Sequence, residues 1–115
     1  MKRIYVSIHN SLLSAAIIRS LEGHGEFSIV GTVEGADIVL MEVTHTAHAN
    51  LEGRLLEGDQ IRQLVPGSKI VLLCDENVSP DIAREVVAAK KSGRIDAFYY
   101  SSVTGKYLVA ALYAL

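Results

Sequence analysis

Glu42 lies near the end of a short apolar run, Asp37-Ile38-Val39-Leu40-Met41-Glu42-Val43-Thr44, where a carboxylate could do chemistry. The run is too short for a buried helix and rich in β-branched residues. It suits a central strand of a parallel sheet covered on both faces. Such strands deliver their carboxyl ends to the ligand crevice, so Glu42 arrives where reactions usually take place. The simpler reading is a solvated strand-end carboxylate. His9, His45 and His48 could converge on a metal, but no cysteine or carboxylate frames them in a ligand pattern, and we expect no metal. Cys74 precedes Asp75-Glu76, acids that raise a thiol's pKa, so it reads as a small buried hydrophobe rather than a nucleophile. Ser7 or Ser101 with His9 and Glu42 could be written as a Ser–His–acid set, yet no nucleophile-elbow motif accompanies them. Gly23-His24-Gly25 follows a helix, the wrong side for a phosphate loop.

The elements that must position these residues alternate regularly. Ile4–Ile8 reads as a buried strand. Asn10-Ser11 then caps a helix carrying Leu13, Ile17 and Leu21, which Gly23 or Gly25 ends. Phe27–Val30 is a short edge strand, and the Glu42 strand follows after only Gly31–Ala36. A helical stretch lies between Leu51 and Leu64, its limits blurred by Gly53 and Gly58, and Pro66-Gly67 punctuates it. Lys69–Cys74 is a buried strand. The next helix has Ser79 as cap, Pro80 and Asp81 in its first turn, an Ile82/Val86/Ala89 stripe, Lys90-Lys91 in its last turn and Gly93 as stop. Ile95–Tyr100 is a fifth strand, and Thr104 caps a helix carrying Tyr107, Leu108, Ala111 and Leu115. Alternation of this kind means βαβ units and a doubly wound three-layer α/β/α fold.

A chain of 115 residues, half of them apolar, is one domain able to bury its own core. Its net charge of −2 argues against a nucleic-acid or anionic-membrane surface. The single Cys74 forbids an internal disulfide and fits a reducing compartment, and no run approaches membrane-spanning length, so a cytoplasmic location is expected. The last apolar helix runs out without Gly, Pro or polar tail, and we expect residues 1–115 to be the N-terminal part of a longer protein.

Taken together, these segments resemble the receiver domain of bacterial response regulators. Asp37–Val43 is similar to the family strand that ends in the phospho-accepting aspartate. Ile70–Cys74 is similar to the next strand, Asp96–Ser102 to the last, and Val103–Leu115 to the final helix. Tyr5–Leu13 is similar to the first strand and its loop. The resemblance implies a five-stranded, mainly parallel sheet in the flavodoxin-like order 2-1-3-4-5. It also implies a chemical set that this chain lacks. The acidic pair that holds Mg²⁺ is replaced by Ile8 and His9, a poor set for a hard cation. Glu42 stands at the phospho-acceptor position, Cys74 at the hydroxyl that binds the phosphoryl group, Ser101 at the cationic lysine and Ser102 at the proline after it. Phe98 keeps the switch aromatic position. Phosphoryl transfer needs charge neutralised around the phosphoryl oxygens, and we expect no means for it here, hence no cofactor.

The family also places a helix between its second and third strands, which Gly31–Ala36 cannot contain. Either the second strand is short and parallel, as we expect, or Glu34-Gly35 makes an antiparallel hairpin. Tyr99, Tyr100, Tyr107 and Tyr113 cluster on the last strand and helix, either as ordinary packing or as an interface. Receivers commonly dimerise through their fourth helix, fifth strand and fifth helix, which makes Tyr99, Tyr107 and Val86 interface candidates for a homodimer. The sequence thus reads as a phosphorylation-independent receiver, not an enzyme. It would act as a regulatory and dimerisation module for an attached or partner output domain of the transcriptional class, without direct nucleic-acid or membrane contact. The alternative is a small α/β enzyme or anion-binding domain using the same strand ends.

Overall fold

The structure, a computed structural model, describes residues 1–46 and 49–115. Five strands, β1 Lys2–Ser7, β2 Phe27–Ile29, β3 Ile38–Val43, β4 Lys69–Cys74 and β5 Ala97–Tyr100, alternate with helices. These are α1 Ser11–His24, α2 Leu51–Leu64, α3 Pro80–Lys91 and α4 Gly105–Tyr113. All strand pairs are parallel and the sheet order is β2-β1-β3-β4-β5.

The central strand β3 is buried along its whole length, and its alternate residues serve two cores. Ile38 and Leu40 pack with Ile17 and Leu21 of α1 and with Leu108 and Leu112 of α4. Val39, Met41 and Val43 pack with Leu51 and Ile61 of α2 and with Val86 and Ala89 of α3. Burial of each such side chain is worth roughly 1.5–3 kcal/mol, so this strand anchors both layers. The glycines that blurred α2 in the sequence have a packing reason. A Cβ on Gly58 would lie 3.3 Å from Ile70 Cγ2, so its absence lets the helix lie close on the sheet. Gly53 donates its N–H to Asn50 Oδ1, which caps the same helix.

No helix lies between β2 and β3, and the register explains how so short a connection closes. Ile29 and Ile38 both pair with Ile4, one on each side of β1. The chain therefore leaves β2 at the level where β3 begins and needs only to cross β1. That crossing is about 10 Å, well within the reach of the intervening residues. Val30 N–H continues the ladder to Ile4 O, a turn closed by Ala36 N–H to Val33 O reverses the path, and Asp37 N–H returns to Arg3 O. Gly35 takes φ +77 in that turn, a conformation open to glycine. Tyr5, Val30 and Val33 pack partly against the second core, so the loop itself covers part of the face that a helix would otherwise cover.

Several boundaries differ from the sequence reading. β2 stops at Ile29, and β5 starts at Ala97, with Ile95 buried ahead of it. The inner stripe of α4 is Leu108, Val109 and Leu112. Tyr107 faces outward and Leu115 lies past the helix end, where Ala114 N–H donates to Ala110 O and Leu115 N–H to Leu112 O. Among the described residues no helix is long and apolar enough to cross a membrane.

Candidate functional site

The C-terminal ends of β1, β3, β4 and β5 lie along one edge of the parallel sheet, where a crevice is expected in this fold; β2 ends too low to reach it. Glu42 is 5 % exposed, not the solvated carboxylate expected from sequence. Its Oε1 accepts the His9 N–H at 2.9 Å. The carboxylate thereby holds the turn after β1, where Ile8 packs half-buried on the first core and Asn10 Oδ1 accepts the Leu13 N–H to cap α1. One carboxylate oxygen thus takes the place of water at a partly buried amide.

The residue that sequence reading missed is Arg54, 2 % exposed and reaching from α2 to the ends of two strands. Its Nε donates to Glu42 O at 2.8 Å, Nη1 to Ser7 Oγ at 3.0 Å and Nη2 to Ser7 O at 3.0 Å. Nη1 also lies 3.4 Å from the exposed carboxylate of Glu57, its ion-pair partner. A planar guanidinium offers five donors in a fixed fork, enough for two main-chain carbonyls, a hydroxyl and the Glu57 carboxylate, where an ammonium has three on a single atom. The signal was in the spacing: Leu51, Arg54, Gly58 and Ile61 share the inward face of α2. The expectation of a crevice without a cation is corrected to this extent. A cation is present, but it stands on the β1–β3 side and is spent on main-chain and serine oxygens.

The β4–β5 side is different. Cys74 is buried, and burial rather than its acidic neighbours pushes the thiol up to about 11. Ser101 is half-buried and donates its N–H to Cys74 O at 2.8 Å. Phe98 is half-buried against the α3 core and meets Tyr100 edge-on at 6.4 Å. Tyr99 meets Tyr107 edge-on at 6.5 Å, and burial, followed by Tyr107, raises its hydroxyl. Tyr107 is 60 % exposed. Val86, expected at an interface, is instead inside the second core because the Ile82/Val86/Ala89 stripe faces the sheet, and Val87 is the exposed valine of α3.

Of the histidines, His9 and His45 are exposed, and His48 lies outside the described residues. Among the described residues no group of three or more His, Cys, Asp and Glu side chains could hold a metal. Ser7 Oγ takes its bond from Arg54, so the Ser–His–acid set is not assembled around it. Away from the strand ends, a groove of about 590 Å³ runs between α2 and α3, lined by Leu51, Leu55, Leu56, Ala88 and Ala89 among others. Crossed ion pairs brace the opposite pole. Arg94 meets Asp59 at 2.8 Å, and Arg62 meets Asp96 at 2.6 Å, whose Oδ2 also accepts the Ile70 N–H.

No protein-family model and no curated protein sequence matches the chain. Solved structures do. The adenylate cyclase from Rhodopirellula baltica superposes with a TM-score of 0.76 at 13 % identity, over 98 % of this chain and 85 % of that one. A response regulator receiver domain protein from Clostridium thermocellum gives 0.69 at 16 % identity, over 99 % and 93 %. The Legionella pneumophila response regulator LqsR gives 0.71 at 10 % identity, over 99 % of this chain but 43 % of that longer one. At these identities the likeness speaks for architecture: this chain has the receiver-domain fold.

Proposed function

We propose that the chain is a phosphorylation-independent receiver domain of a two-component response regulator, regulatory rather than catalytic. It works in the cytoplasm as a dimerisation module for an output domain of the transcriptional class, attached to it or carried by a partner. The observation that carries this reading is the state of Glu42. The side chain at the acceptor position is buried and bonded to the turn where receivers keep their metal-binding acids. Ile8 and His9 supply no hard oxygen pair beside it, and Ser101 supplies no cation. Nucleophilic attack on a phosphoryl donor needs all three together, because positioning and charge neutralisation are the whole of that catalysis.

The dimer is assigned to α3, β5 and α4. Tyr107 and Tyr100 are exposed there, with Val87 in place of the buried Val86. An aromatic cluster of this type supplies interface area at low entropic cost.

Intact-mass measurement after incubation with acetyl phosphate and Mg²⁺ should find no phosphoryl adduct, and beryllofluoride should leave the sedimentation coefficient unchanged. Aspartate at position 42 alone should not restore the reaction. An adduct on the unaltered protein overturns the reading. For the assembly, Tyr107→Asp should sediment as a folded monomer; a starting protein that is already monomeric removes the dimer.

A further inference from the structure

Arg54 and Glu42 carry opposite charges, are both nearly inaccessible, and bind different atoms of the same two strand ends. Arg54 approaches from α2 and ties Ser7, at the end of β1, to the main chain of Glu42 on β3. Glu42 then uses its side chain to hold the His9 N–H, two residues beyond Ser7. The main-chain segment 7–9 is thus gripped at both ends, by the guanidinium at Ser7 and by the carboxylate at His9. Among the described residues no buried side-chain polar atom lacks a partner, so neither group is waiting for a ligand. Each is costly to bury alone: Arg54 is made tolerable by its bonds to Ser7 and to the main chain of Glu42, and the Glu42 carboxylate by the bond from the His9 N–H.

We propose that these two side chains form a built-in latch: Arg54, as a positioning residue, fixes the carboxylate of Glu42 so that the turn after β1 stays closed on β3 without any bound group. Here the sequence itself supplies an anion and a cation at the crevice and holds one arrangement. A latch of this kind favours one arrangement of the turn, and a bound group could move it only by preferring the open arrangement. The signalling meaning rests on the phosphorylation-independent reading, whereas the latch itself rests on these bonds.

The test is amide hydrogen exchange at His9, an atom that Arg54 does not touch. Arg54→Lys keeps the charge but loses the fork, and Ser7→Ala removes one acceptor while leaving the fold's main chain intact. Both should speed His9 exchange, Arg54→Lys by about tenfold or more, as local opening becomes easier. The amides of Asp75 and Ser101, bonded to Val43 O and Cys74 O on the other side of the crevice, should change by less than about twofold. Glu42→Ala should match the Arg54→Lys effect, and the double variant should exceed neither single by much, because one latch can be opened only once. Uniform acceleration of all amides, or a His9 rate untouched by Arg54→Lys, overturns the proposal. Exchange reads the latch and the mass measurement reads the chemistry, so a latch without phosphorylation-independence, or the reverse, would be seen as such.

Discussion

The two sides of the crevice are built by different means. At the ends of β1 and β3, side chains do the joining: a buried guanidinium and a buried carboxylate span from strand to strand and from strand to turn. At the ends of β4 and β5, main-chain bonds do it, with Asp75 N–H to Val43 O and Ser101 N–H to Cys74 O, and the side chains of Cys74 and Ser101 are small. The first side therefore depends on particular residues, and the second on the ladder that any sequence of this fold would make. Loss of a residue should be felt on one side and hardly at all on the other.

Arg54→Met against Ser101→Ala is the strongest way to break that contrast. Methionine fills similar space but leaves Glu42 O, Ser7 O and Ser7 Oγ short of a donor, at about 1–3 kcal/mol for a buried group left unmatched. Urea unfolding should show a loss of about 2–4 kcal/mol for Arg54→Met with an unchanged m value. Ser101→Ala retains its N–H bond and should cost under about 0.5 kcal/mol. Equal losses would mean that the guanidinium is no more than packing.

Cys74 sharpens the contrast from the other side, because there burial alone sets the chemistry. Its thiol is raised from 9.0 to about 11 by burial, so the folded state keeps the proton that the unfolded chain gives up. Such a group's contribution is fully present below the unfolded value and is lost as pH rises through the folded one. Two units correspond to about 3 kcal/mol, so stability should fall between pH 9 and 11. Cys74→Val should flatten that part of the curve while the protein at pH 7 stays within about 1 kcal/mol. A slope that survives the substitution would place the alkaline sensitivity elsewhere.

How much of this could be read in advance follows the same division. The missing helix and the capped helices were legible because period, caps and short connections act locally, as Ser79-Pro80-Asp81 announces a helix in any context, whereas the sheet order came from the family resemblance. Residues whose position depends on two strands at once were harder to place. Arg54 was passed over in sequence and Glu42 read as a solvated strand end, and each becomes buried only because a neighbouring element lies beside it. Val86 was misassigned for a related reason. The stripe correctly placed it on the helix, but a family habit then put it on the surface against the evidence of its own period. Gly58 misled in the opposite sense, weakening a helix in sequence that its close seat on Ile70 requires.

The smallest expected effect is at the opposite pole, where the same chemical pair as a charged clasp is exposed. The hydrogen bond from Arg94 holds Asp59 below the usual carboxylate range, against a smaller opposing effect of burial. A depressed folded value gives stability that is present above the unfolded value, near pH 4, and is lost as pH falls through the folded one. Both side chains are some 40 % exposed, so solvent screens the pair and little of that shift survives as stability. Asp59→Asn should therefore leave the urea midpoint at pH 7 within error and remove only part of the decline below pH 4. In 1 M salt, where screening acts over about 3 Å, even that part should fade, while the Arg54→Met loss persists because its bonds are shielded from ions. A midpoint at pH 7 that drops as far for Asp59→Asn as for Arg54→Met would show that burial is not what separates the two clasps.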